Sequence, residues 1–230
     1  MNDGYNSIRT NGMRSQGATT VLDGSAHRVL RNTYMLLSLT LGFSALTAGV
    51  SAAMGLPHPG ILLTLVGYFG LLFLVNKYRD RGLGVAFVFA LTGFMGYTLG
   101  PIISLYLNMP NGTQTVMLAL GGTAAVFMAM SAYALTTKRD LSFMGGFLTV
   151  GILVAFLAGL AAIFFSIPAL SLTVSAVFVL LMSGMILYET NNIVRGGETN
   201  YVMATLTLFV SIFNLFTSLL HLLGFASSNE

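Results

Sequence analysis

The chain has 230 residues, 55% of them hydrophobic and 7% charged, with a mean hydropathy of +0.83. Soluble domains carry about 25% charged residues, so this composition leaves no room for a soluble domain beside a membrane bundle. The formal charge of +3 does not point to nucleic acid, because the basic residues sit scattered at membrane ends, and the lack of cysteine excludes disulfides, thiolate nucleophiles and thiolate metal sites.

The first 27 residues are rich in Asn, Ser, Gly, Thr and Arg and lack the apolar stretch of a cleaved signal peptide. They read as a flexible cytoplasmic tail over 1–27. Seven apolar runs follow, over 33–54, 60–75, 83–107, 113–136, 142–165, 169–193 and 201–225. About 20 apolar residues cross a bilayer core of roughly 30 Å as a helix. The second run is short and extends to Lys77, whose long side chain can reach the interface. The expected fold is therefore an all-α membrane protein, a seven-transmembrane-helix bundle over 28–226, with a short tail at 227–230.

Lysine and arginine occupy every second gap. They fall at Arg9, Arg14, Arg28 and Arg31, then at Lys77, Arg79 and Arg81, at Lys138 and Arg139, and at Arg195. The gaps at 55–59, 108–112 and 166–168 carry none. The positive-inside rule places the tail and the even-numbered gaps in the cytoplasm and the C-terminus on the periplasmic side. Short loops make consecutive helices antiparallel neighbours.

Pro57, Pro59, Pro110 and Pro168 lie in the uncharged turns, where proline ends a helix without needing a partner. Pro101 lies inside the third run, after Gly96 and Gly100. It removes one backbone bond and is expected to kink or loosen the helix near Tyr97. The glycines allow another helix to approach closely. Gly96, Gly100 and Pro101 thus mark either tight packing or a kink used in gating. Gly121, Gly122, Gly145, Gly146 and Gly151 suggest further close packing.

Ionisable groups inside a bilayer are costly, so each is a candidate site. Glu189 lies about one turn inside the cytoplasmic end of the sixth run. A carboxyl group there resists ionisation and can switch a local hydrogen-bond network with pH. The alternative is that it hydrates or caps polar groups at the membrane edge near Asn191, Asn192 and Arg195. In the seventh run Thr207, Ser211, Asn214, Ser218 and His221 are spaced by four, three, four and three, which aligns them on one helical face. Such a stripe points at other helices, through hydrogen bonds, or at a hydrated pathway. Glu189, Asn192, Ser211 and Asn214 form the candidate proton- or ion-sensing set. His221 reads as an interfacial residue.

No catalytic constellation accompanies them. The chain lacks His-Glu-x-x-His, Gly-x-Ser-x-Gly and a glycine-rich phosphate loop, and Ser183-Gly184 alone is too weak for an intramembrane serine protease. Seven-helix light sensors and hormone receptors place the N-terminus outside, and retinal needs a lysine deep in a span. The reading is of a protein that is not an enzyme and needs no metal or cofactor.

Several long strings are recognisable. Gly93-Phe-Met-Gly-Tyr-Thr-Leu-Gly-Pro101, Lys138-Arg-Asp-Leu-Ser-Phe143, Ile186-Leu-Tyr-Glu-Thr-Asn-Asn-Ile193 and Phe213-Asn-Leu-Phe216 resemble the transmembrane Bax-inhibitor-motif family. The resemblance runs from about Ala26 to Phe225. His27-Arg-Val-Leu-Arg-Asn-Thr-Tyr34, Leu63-Thr-Leu-Val-Gly67, Gly196-Gly-Glu-Thr-Asn-Tyr201 and Leu223-Gly-Phe-Ala-Ser227 are similar to a bacterial branch of it. The resemblance implies a bacterial inner-membrane protein whose partners are the lipid bilayer and the ATP-dependent membrane protease FtsH, which it restrains. Other members are proposed pH-sensitive calcium leak channels closed by two acidic residues. Glu189 matches the first of these. The second falls on Ser211, and an assisting basic residue falls near Asn76. One carboxylate facing a serine cannot share a proton as a pair does. The resemblance therefore implies Ca2+ or H+ passage only as the alternative function.

Overall fold

The structure, a computed structural model, describes the backbone of residues 4–227 and the side chains of residues 24–227. It contains seven α-helices: α1 (Gly4–Ala53), α2 (Ile61–Tyr78), α3 (Gly82–Leu107), α4 (Gly112–Thr136), α5 (Met144–Phe164), α6 (Pro168–Val194) and α7 (Tyr201–Ser227). Each is long and apolar enough to cross a membrane, with Gly24–Ala53 as the membrane-length part of α1. Of the expected tail over 1–27, residues 1–23 lie outside the described side chains. The membrane-length segment begins upstream of the expected residue 33, because the helix is continuous through His27, Arg28 and Arg31.

The bundle is built around α7. It packs against α1, α2, α3, α4 and α6, while α5 packs along α6 and meets α2 only through the edge-on pair of Phe156 and Phe69, with ring centroids 6.0 Å apart. Phe209, Leu208, Leu215 and Leu220 of α7 are fully buried. They join Val88, Leu91, Ile186 and Ile193 in the larger core, and Ala48, Val116, Ala119 and Phe216 in a second core. The exposed Phe69, Phe73, Phe147, Val154 and Phe164 lie on α2 and α5. Lipid is as apolar as these side chains, so the bundle is held by close packing and hydrogen bonds rather than by exclusion of water.

The closest packing joins α1 to α3. A Cβ placed on Gly96 would overlap Thr47 Oγ1 and the Ser44 carbonyl, and one on Gly100 would overlap Ser51. α3 runs unbroken through Pro101, whose missing N–H leaves the Tyr97 carbonyl without its helical donor. Ser51 of α1 donates its hydroxyl to that oxygen at 3.0 Å. The same seam carries a bond from Ser104 Oγ to Ala52 O at 3.4 Å and one from Tyr97 Oη to Pro57 O at 2.9 Å. Glycine, proline and serine thus form one unit across two helices.

Candidate functional site

The C-terminal end of α6 is where polar chemistry enters the bundle. Ile186, Glu189, Thr190 and Ile193 lie three and four residues apart and are all buried. Glu189 is only 5% exposed, and its Oε1 has no hydrogen-bond partner. A buried carboxyl oxygen without a partner loses its hydration with nothing in return. Its neighbour Thr190 is satisfied, with Oγ1 3.3 Å from Tyr34 Oη of α1. Thr33 Oγ1 on α1 and Ser131 Oγ on α4 are likewise buried without partners. Thr205 Oγ1 of α7 donates to Tyr201 O at 2.7 Å and approaches Thr33 O at 3.3 Å.

Around this carboxyl group, side chains tie three basic loops to one end of the bundle. Asn191 accepts from Leu141 N at 3.3 Å and donates to Arg139 O at 3.4 Å, and Arg195 donates to Lys138 O. Asn200 joins the loop after α6 to the loop after α2, donating to Arg79 O at 3.2 Å and to Asp80 Oδ1 at 2.7 Å. Its own Oδ1 accepts from Val202 N and Met203 N at 3.0 and 3.1 Å, which caps the start of α7. Before α5, the hydroxyl and backbone N–H of Ser142 both donate to Asp140 and hold its carboxyl below the usual carboxylate range.

Asn192 has a different task. Its carbonyl accepts from Gly197 N at 2.9 Å while Gly196 N bonds Ile193 O at 3.0 Å. Gly196 takes φ +75°, so α6 ends in a Schellman motif that needs glycine there. This ending turns the chain back toward the Asn200 cap.

The stripe on α7 is present, and most of its polar atoms serve their own helix. Ser211 is buried and donates to Thr207 O at 2.8 Å, and Asn214 donates to Val210 O at 2.8 Å. His221 alone of these bonds across helices, with Nδ1 2.8 Å from Ser175 Oγ of α6. Glu189 lies five residues from the C-terminal end of α6, about 7.5 Å along the axis, whereas Ser211 lies about 15 Å into α7. Glu189 and Ser211 share no hydrogen bond. Among the described residues, no three His, Asp or Glu side chains cluster within reach of one ion.

Sequence reasoning did not single out Tyr34, Thr190, Asn200 or Ser51. Asn200 was accessible, as a capping residue immediately before an apolar run. Pro101 signalled that Tyr97 O needs a donor, but not which helix supplies it. Tyr34 and Thr190 lie 156 positions apart, and nothing local announces their meeting.

Comparison with known proteins agrees with this architecture. Residues 26–229 match the family described as Inhibitor of apoptosis-promoting Bax1 (Bax1-I). The chain is 56% identical over 203 residues to the Modulator of FtsH protease YccA of Escherichia coli K12, covering 88% of this chain and 92% of that protein. The counterpart from E. coli O6:H1, at the same identity and coverage, bears the name Inner membrane protein YccA. An uncharacterized protein of Pseudomonas aeruginosa is 53% identical over 88% of this chain and 91% of its own length.

Proposed function

This chain belongs to the Bax inhibitor family, and from that membership we propose that it is a multi-pass protein of the bacterial inner membrane that binds the FtsH protease and restrains it. The observation that carries the reading is the near-complete likeness to a protein named as a modulator of that protease. It acts as a regulator of proteolysis rather than as an enzyme. The basic loops gathered at one end of the bundle support a cytoplasmic placement for that end, with the N-terminal tail (1–27) on the same side. The seven-helix domain then covers 28–226, and 227–230 lie in the periplasm. Capture of the protein from its own membranes in mild detergent tests the reading. FtsH is expected well above other inner-membrane proteins. Its absence under conditions that preserve other membrane complexes would overturn the proposal.

A second reading rests on Glu189, buried with an unpartnered oxygen. There the bundle passes protons or cations such as Ca2+ in a pH-dependent manner, with Glu189 as the titrating gate. Asn192, Ser211 and Asn214 complete the sensing set, and kinking of α3 at Gly96, Gly100 and Pro101 would open the route. Flux into liposomes would change between about pH 6 and about pH 8, and Glu189→Gln would abolish that change. Flux equal to that of empty liposomes would eliminate it. The Ser211 hydroxyl is already committed to Thr207 O, which favours the modulator reading over a paired-acid gate.

A further inference from the structure

At the same end of the bundle a cleft opens between α1 and α4. It is lined by His27, Arg28, Leu30, Arg31 and Tyr34 of α1 and by Leu135 in the last turn of α4, and holds about 470 Å3. Residues 27, 31 and 34 fall at helical spacing, so one face of α1 presents them together. Arg28 and Arg31 are exposed, and Arg28 braces its guanidinium stem by donating from Nε to Gly24 O at 3.3 Å. The rest of the lining is largely apolar, and Tyr34 bonds Thr190 beside Glu189. The cleft therefore has two guanidinium groups at the level where the helix leaves the bilayer and an apolar wall running toward the bilayer core.

We propose that this cleft is a binding site for an anionic phospholipid, whose phosphodiester is held by Arg28 and Arg31 and whose first acyl carbons lie against Leu30, Tyr34 and Leu135. Guanidinium matches phosphate oxygens in a planar, two-pronged manner that an ammonium cannot. Basic pockets between membrane helices select acidic headgroups for this reason. A soluble phosphate would meet the same cations but leave the apolar wall wet, so the wall argues for a lipid. The occupied cleft would brace α1 against α4 one residue away from the Thr33–Thr205 contact.

Native mass spectrometry of the full-length, delipidated protein in mild detergent tests this, with phosphatidylglycerol and phosphatidylcholine added in turn. Phosphatidylglycerol should be retained in preference to phosphatidylcholine. Each cation at a membrane surface favours acidic lipid enough that the double variant Arg28→Gln/Arg31→Gln should lose about thirtyfold in that preference. Leu135→Trp, which fills the cleft and leaves both arginines in place, should lose it as well. Lys138→Gln/Arg139→Gln, which removes equal charge from a neighbouring loop, should keep it. Preference unchanged in the arginine variant, or lost equally in the loop variant, would overturn the site. Displacement of the lipid by millimolar inorganic phosphate would assign the cleft to a soluble anion instead.

Discussion

Single polar atoms decide where this bundle is tight and where it is not. The Tyr97 carbonyl, freed by Pro101, is served by Ser51 of the neighbouring helix, and Ser51 is only 1% exposed. Ser51→Ala removes this donor and leaves a half-buried acceptor, so it should lower stability by about 1 kcal/mol, the scale of an interhelical hydrogen bond in a membrane. Ser38→Ala is the control, because Ser38 is exposed and bonds Met35 O of its own helix. Reversible unfolding in mixed micelles measures both, and equal stabilities for the two variants would refute the bridge. Glu189 is the opposite case, buried with one oxygen unserved. Its singularity was plain from the sequence, since no other carboxylate falls inside a span. Its surroundings were not, because Tyr34, which bonds the adjacent Thr190, comes from a different helix. Ordinary hydroxyl residues in apolar runs give no sign of which neighbour they will meet.

Elements were far more legible than contacts. Helices α2 to α7 begin and end within about three residues of the apolar runs. In lipid every backbone group must be satisfied inside the helix, so hydropathy and secondary structure coincide. They part company only at α1, where the helix continues into polar sequence at the water interface. The pairing of α1 with α3 was half legible. Gly96 and Gly100 announced a close approach, but not the partner. The structure makes the test asymmetric. A Cβ at Gly96 meets backbone and side chain of α1, whereas one at Gly121 meets nothing within 4 Å. Gly96→Ala should therefore cost about 1–3 kcal/mol by forcing the helices apart, and Gly121→Ala should be neutral. Thermal unfolding of the two variants in the same detergent distinguishes them, and a matching loss in both would show that the seam is not close-packed.

At the level of the whole molecule, the basic loops after α2, α4 and α6 meet at one end and are bonded to one another through Asn191, Arg195 and Asn200. Alternating charge predicted that these loops share a side, and the hydrogen bonds between them were beyond its reach. The N-terminal segment belongs to the same side in the proposed orientation, where an ATP-driven protease could grip it. Deletion of residues 2–23 should lengthen the half-life of the protein in cells several-fold and leave the melting temperature of the bundle unchanged. Equal half-lives for the full and shortened chains would remove the segment from any role as a handle.

The placement of α7 has a consequence in time. It follows the other six helices in the chain, yet five of them pack against it. Chains enter the membrane from the N-terminus onward. While residues 201–227 are still in the ribosome, the earlier helices can pack on one another, but the core lacks Leu208, Phe209 and Leu215. The half-made protein holds the α1–α3 seam and the α5–α6 pair but lacks the helix on which they converge, and closure comes last. Until then the growing chain is itself the kind of unassembled membrane polypeptide that a quality-control protease removes, so its survival depends on how quickly its last helix arrives.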